Sequence, residues 1–343
     1  MKNRDWYIKN RGLFKKLATK IETILIDILE ENNIEYHQVH CRAKTIGSFS
    51  KKLENPKYSS ADDITDLAGI RIITYVEDSI PKICKIIEDN LSIDKENSHD
   101  KSDILGLDKV GYKSVHYVAE LPNSRIKLTE NKKFKELKFE IQVRTILQHS
   151  WAEIEHDRNY KFGGQLPVSI QRRFKLLAGL LELADNEFNS ISREIDDYSK
   201  NVKDRTAEGD LNIEINSTSL QEYMNQKLTK IKGIEVNPKV KGSQDIVKEI
   251  KNYGILNLRE FDKIIPKKLF ENYIEIGDSI SSTGTIRDIL IINDYKKYFE
   301  KSYDGEWWFT GYEDFEIFKR FGFKINQFEE EIGWNDDEVP ELE

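Results

Sequence analysis

The chain has 343 residues, 38 % of them hydrophobic and 33 % charged, with a mean hydropathy of −0.62; this balance excludes wholesale disorder and, at roughly 150 residues per domain, points to about two domains. No stretch approaches the ~20 apolar residues of a membrane span and MKNRDWYIKN has no apolar signal core, so a cytoplasmic protein without a membrane partner is expected; Cys41 and Cys84, with no CxxC, exclude a disulfide framework and a cysteine zinc site. The net charge of −8 is uneven, with 34 basic and 33 acidic residues up to Asp204 against 19 and 28 beyond it, and the last stretch, Glu329 to Glu343, has eight acidic residues and no basic one.

Phe14, Leu17, Ile21, Ile24 and Ile28 recur at three- and four-residue steps, which predicts an amphipathic helix ending near Asn32-Asn33. Ile34 to Lys44 reads as extended and Thr45 to Lys52 as a short helix, broken by Pro56 and Ser59-Ser60. ITDLAGIRIITYV reads as a helix end feeding a strand, and Ile80 to Leu91 as a helix that tolerates Pro81 in its first turn. Asn97 to Asp108 is polar and read as a loop, followed by strands at Tyr112 to Leu121 and Leu137 to Arg144, with helix resuming at Ile146. Ile170, Phe174, Leu177, Leu181, Ala184, Phe188, Ile191 and Ile195 predict one long core-packing helix. NVKDRTAEGD, Asn201 to Asp210, reads as a polar break, giving domains at 1–200 and 211–343, the second a smaller acidic α+β domain.

Four segments carry candidate chemistry. In KFEIQVRT, strand alternation puts Phe139, Ile141 and Val143 on one face and Lys138, Glu140, Gln142 and Arg144 on the other. A second carboxylate, Asp66, precedes the strand carrying Arg71, and two carboxylates from neighbouring strands suit Mg²⁺ beside phosphates. The spacing Arg42-x-Lys44-x-x-x-Ser48-x-x-x-Lys52 brings Ser48 and Lys52 to one helical face behind a cationic turn, either a triphosphate cradle or a solvated basic patch. In VGYKSVHYV, Gly111 sets Tyr112 at a strand start with Ser114 and His116 on its face, either a base-stacking ring or a core tyrosine. His149, Glu153 and His156 also share a helical face, but with Trp151 and Ile154 beside them and no HExxH they read as part of a packed helix rather than a metal site.

Taken together and in this order, the Arg42/Lys44/Ser48/Lys52 run, DLAGIRII, GYKSVHY, FEIQVRT and QHSWAEIEHDRNYK resemble the synthetase domain of the RelA/SpoT-type alarmone synthetases, over roughly Leu17 to Ile195. The resemblance implies an α/β fold, a nucleotidyltransferase-like mixed sheet flanked by helices, and transfer of the β,γ-pyrophosphate of ATP to a ribose 3′-hydroxyl with release of AMP. It implies that Arg42 and Arg71 sandwich the adenine, that Lys44, Ser48 and Lys52 hold phosphates, and that Asp66 and Glu140 bind Mg²⁺, Glu140 also positioning or deprotonating the acceptor hydroxyl. Tyr112, His116, Lys109 and Lys113 are the implied acceptor contacts. The family's Pro-Lys-x-Asn-Gly-Tyr-like loop reads here Leu107-Asp108-Lys109-Val110-Gly111-Tyr112, a departure that bears on the acceptor. GDP or GTP is the leading acceptor. The rival is the tRNA 3′ end, as in fused toxin–antitoxin relatives whose C-terminal domain restrains the synthetase in cis or answers a protein trigger. A catalytically silent nucleotide-responsive regulator is a third reading. Tyr295 and Tyr298 resemble the Tyr-x-x-Tyr element by which such a domain plugs the ATP site, or form a helix-face pair. The family's hydrolase half is missing, so alarmone degradation is not expected.

Overall fold

The apolar stripe of the first thirty residues forms α1 (Lys2–Glu31), which buries Leu17, Ala18, Ile21, Leu25 and Leu29 completely. A computed structural model describes residues 2–56, 58, 60–61, 63–100, 114–161, 166–277, 279–305, 307 and 315–324, and its chain divides into two units, Met1–Arg193 and Glu194–Glu343.

In the first unit α1 is followed by β1 (Gln38–Ala43), α2 (Ile46–Leu53), β2 (Ala68–Thr74), α3 (Ser79–Asn90), β3 (Ser92–Asp100) and β4 (Val115–Glu120). A single turn, α4 (Asn123–Ile126), and a 3₁₀ segment (Thr129–Phe134) lead to β5 (Phe139–Thr145), α5 (Ile146–Lys161) and α6 (Val168–Ala207). The five strands form one mixed sheet in the order β1-β2-β5-β4-β3, with β2 and β5 parallel and the other pairs antiparallel. Ile70, Ile72, Phe139, Ile141 and Val143 point to one face and join α1 and α3 in a single core. Burying side chains of this kind contributes about 1.5–3 kcal/mol each, which fixes the register, since a one-residue slip of β5 would bring Glu140 and Gln142 into that core. The opposite face is the polar one expected for KFEIQVRT.

Three expectations change. Residues 97–100 continue β3, a strand of nine almost wholly polar residues; an edge strand with one partner needs no apolar face, so period-2 hydrophobicity could not reveal it. The expected loop beyond Asp100 lies outside the described residues. In α6 the face turned inward is Phe174, Ala178, Leu181, Asp185 and Asn189, whereas Leu177, Phe188, Ile191 and Ile195 of the predicted stripe are exposed. Polar anchors decide this: Thr145 Oγ1 donates to Asp185 at 2.8 Å, and the Asp78 backbone N–H donates to Asn189 Oδ1 at 2.9 Å. The break predicted at Asn201 to Asp210 is helix as far as Ala207, the stop being set by Gly209 at φ 84°, and the two units divide at Arg193/Glu194 rather than at 200–211.

Among its described residues the second unit is mainly helical, where an α+β domain is expected. Among the described residues it holds α7 (Ser217–Leu228), α8 (Ser243–Asn252), α9 (Leu258–Ile264), α10 (Leu269–Ile276), α11 (Ser282–Asn293), α12 (Tyr295–Lys301) and α13 (Glu316–Arg320). Its β structure is a two-residue parallel ladder, β6 (Val236–Asn237) with β7 (Ile280–Ser281), and one isolated bridge. The short apolar runs are helical because side-chain caps start them: Asn216, Asn257, Ser281 and Asp294 each accept a hydrogen bond from the backbone N–H three residues on. Among the described residues no helix is long and apolar enough to cross a membrane.

Candidate functional site

The polar face of the sheet gathers the predicted residues by register alone. Arg42 lies opposite Gly69, and Gly69 opposite Glu140; in the next row His40, Arg71, Gln142 and His116 follow one another across four strands. Gly69 places no side chain between Arg42 and Glu140, and the pocket over it is lined by Arg42, Lys44, Asp66, Arg71, Glu140 and Gln142, together with His40 and Ile70.

Lys44 and Asp66 meet because the β1–β2 ladder runs one step beyond the strands, the Lys44 N–H donating to the Leu67 carbonyl at 3.0 Å. The Lys44 carbonyl is held by the Tyr7 hydroxyl (2.7 Å) and Arg11 Nε (3.0 Å) of α1. Thr45, read from the sequence as the first residue of the helix, is its cap, accepting from the Ser48 N–H at 3.1 Å. That cap aims Lys52, seven residues on, at the same carboxylate. Asp66 sits between the two ammonium groups, 2.5 Å from Lys44 Nζ and 3.0 Å from Lys52 Nζ. Burial pushes the pKa of Lys52 down, but the charge and hydrogen bond of Asp66 outweigh it and the net shift is upward. Ser48 is exposed on α2 and does not line the pocket; its hydroxyl accepts from Thr45 Oγ1 at 2.8 Å.

Glu140 is anchored from its own sheet. His116 Nδ1 lies 2.6 Å from Oε1, and Gln142 Nε2 donates to the same oxygen at 3.1 Å, leaving Oε2 without a hydrogen bond among the described residues. Burial alone would raise the pKa of this carboxyl, yet the hydrogen bond and charge of His116, the Gln142 amide and the nearby Lys52 hold it at about 2. His116 is itself buried and stacked on His99 of β3, with centroids 5.0 Å apart and planes 22° apart. Arg71 reaches the other way, its Nη1 2.7 Å from Glu153 Oε1 on α5.

Asp66, Glu140, Arg42, Lys44 and Arg71 therefore share one pocket, with Lys52 tied to it through Asp66 and His116 through Glu140. Tyr112, Lys109 and Lys113 lie outside the described residues. Tyr295 and Tyr298 do not form an exposed pair: Tyr298 is fully buried in the core of the second unit, donating to Glu249 Oε2 at 2.6 Å, and Tyr295 packs edge-on against Phe323. Gln142, His99 and Glu153 went unassigned in the sequence reading. Gln142 carried a signal, its period-2 relation to Glu140; His99 was hidden in the unrecognised edge strand; Glu153 was visible only as a neighbour of His149, whose Nδ1 lies 4.0 Å from its Oε1.

Residues 41–165 match the region found in RelA / SpoT proteins. The chain is 27 % identical to the GTP pyrophosphokinase YwaC of Bacillus subtilis over 208 residues, 56 % of this chain and 92 % of that protein. It is 26 % identical over 203 residues to the GTP pyrophosphokinase YjbM of the same organism, covering 57 % and 92 %. The crystal structure of small alarmone synthetase 1 from Bacillus subtilis superposes with a TM-score of 0.49 at 22 % identity, over 56 % of this chain and 99 % of that one.

Proposed function

Because this chain carries a RelA/SpoT-type synthetase domain, we propose that it is a pyrophosphokinase that moves the β,γ-pyrophosphate of ATP to the 3′-hydroxyl of GDP or GTP, releasing AMP. The observation that carries this reading is the convergence of two arginines, Lys44 and two carboxylates on one pocket of the polar sheet face. Planar guanidinium groups at Arg42 and Arg71 suit a purine base, and Lys44 and Lys52 suit its phosphates.

The donor set fits Mg²⁺: Asp66 and Glu140 offer hard oxygen ligands in one pocket, and this ion takes one or two carboxylates besides substrate phosphates. Bound there, it would neutralise charge developing on the transferred group. In-line attack of the 3′-oxygen on the β-phosphorus forms the new P–O bond and breaks the bond to the α,β-bridging oxygen, which leaves with AMP. Glu140 accepts a hydrogen bond from the 3′-hydroxyl and orients it; with its carboxyl held at about 2 it does not keep the proton, which passes to solvent as AMP leaves. His116 and Gln142 fix that carboxylate.

A tRNA 3′ end is the second acceptor reading; a groove of about 670 Å³ beside α1 and the 3₁₀ segment, whose lining includes Lys15, Lys16, Lys20 and Lys133 with one acidic residue, Glu130, offers cations to a phosphate backbone. The experiment is incubation with labelled ATP and, side by side, GDP, GTP, adenosine nucleotides and deacylated tRNA. A 3′-pyrophosphorylated guanosine nucleotide with matching AMP supports the first reading, and label on the CCA end supports the second. No AMP with any acceptor overturns the pyrophosphokinase assignment.

A further inference from the structure

Glu153 lies on α5, apart from the two carboxylates assigned to the reaction, and all its contacts run through one oxygen. Oε1 is 2.7 Å from Arg71 Nη1, 3.5 Å from Arg144 Nη2 and 4.0 Å from His149 Nδ1. Arg71 sits on the polar face one row from Arg42, and Arg144, two residues beyond Gln142 on β5, is almost fully buried. Three guanidinium groups are thus brought to one corner of the site. A nucleobase held there is neutral and supplies no countercharge, so the arginines need an anion from the protein. Glu153 supplies it: burial would raise the pKa of its carboxyl, and Arg71, Arg144, His149 and Arg42 together bring it below the ordinary value, so it is ionised at neutral pH.

We infer that Glu153 is a positioning residue of the donor-base site, a carboxylate on α5 that holds the Arg71 guanidinium in the orientation a purine stacks on. The inference rests on the proposed function and refines it. A charge-assisted contact at 2.7 Å removes the rotamer freedom Arg71 would otherwise lose on binding, so Glu153 acts on the nucleotide through Arg71 and not by touching it.

The test is a double-mutant cycle on the full chain. Calorimetric titration with a non-hydrolysable ATP analogue and Mg²⁺ compares the unaltered chain with Glu153→Gln, Arg71→Ala and the double variant, with melting temperature followed in parallel. Glu153→Gln is expected to weaken binding about five- to ten-fold and, because the same carboxylate faces the buried Arg144, to lower the melting temperature somewhat while leaving the cooperative transition intact. The double variant is expected to bind no more weakly than Arg71→Ala alone. Glu153→Asp should recover part of the loss, and in turnover the change should fall on KM for ATP and not on KM for the acceptor. Full additivity in the cycle, or undiminished affinity in Glu153→Gln, overturns the inference while leaving the nucleotide site intact. An unaltered chain that does not bind the analogue overturns the site reading and this role with it.

Discussion

Replacing Glu140 by Gln keeps the shape of the side chain and removes only its charge, so it tests the chemistry and the electrostatics of the site together. In the folded protein the Glu140 carboxyl is held at about 2 against an ordinary value of 4.5. At about 1.4 kcal/mol per pKa unit, that difference stabilises the folded state by about 3 kcal/mol when the group is ionised in both states. The sign follows from the direction of the shift. A depressed carboxyl contributes stability that is fully present above the unfolded value and is lost as the pH falls from about 4.5 towards 2. In Glu140→Gln this contribution is gone at every pH, and the His116 ring keeps only a neutral acceptor. Urea midpoints of the first unfolding transition should therefore separate the two proteins by up to about 3 kcal/mol at pH 7, and by much less at pH 3. AMP release from ATP with acceptor present should fall by about two orders of magnitude or more, since an orienting charge is lost from the nucleophile. A variant that keeps a tenth of the turnover, or a stability gap as large at pH 3 as at pH 7, would refute the account of Glu140.

Asp66→Asn leaves the ammonium groups of Lys44 and Lys52 facing each other without the carboxylate between them; AMP release should drop about a hundred-fold and the Mg²⁺ concentration for half-maximal rate should rise, read from a metal titration of turnover. Thr45→Ala removes the α2 cap, which should lower stability by about 1 kcal/mol in urea unfolding and raise KM for ATP more than it lowers kcat, because Lys52 is aimed by that helix. Tyr298→Phe deletes the hydroxyl that donates to buried Glu249, with Arg287 bonded to the same carboxylate; the melting temperature should fall, by about 1–3 kcal/mol in stability, while AMP release stays unchanged. Faster turnover in Tyr298→Phe would instead restore the reading of this tyrosine as a plug.

The sheet was legible wherever strands are buried on one face. Phe139, Ile141 and Val143 alternate with polar neighbours, and the alternation named β5 and the side on which Glu140 emerges, while β2 was legible from its β-branched run Ile70, Ile72 and Ile73. The same rule is silent for β3, whose residues Ser92 to Asp100 answer to backbone pairing with β4 and to local bonds such as Val118 N–H to Ser98 Oγ at 2.9 Å. It misleads for α6, where Leu177, Phe188 and Ile191 read as core but the docking face is chosen by Asp185 and Asn189, bonded to Thr145 and Asp78, 40 and 111 positions away in sequence. Hydrophobic periodicity measures how a helix can bury apolar area. It does not register a buried hydrogen bond that leaves a polar group unsatisfied if the helix turns.

The site divides along the same line. Lys44, Asp66 and Glu140 could be named in advance because each stands at a fixed offset from a strand or a cap, and the β1–β2–β5 register then brings them into one pocket without any long-range information beyond strand order. Their partners could not. Asp66 as the bridge between two lysines and Glu153 as the counter-ion of Arg71 depend on where α2 and α5 come to rest against the sheet. Each of these helices ends up presenting one charge opposite to that of the strand residue it faces, Lys52 to Asp66 and Glu153 to Arg71. For the proposed polyanion and neutral base both arrangements are needed before either arrives, since cations massed without such partners would repel one another out of register.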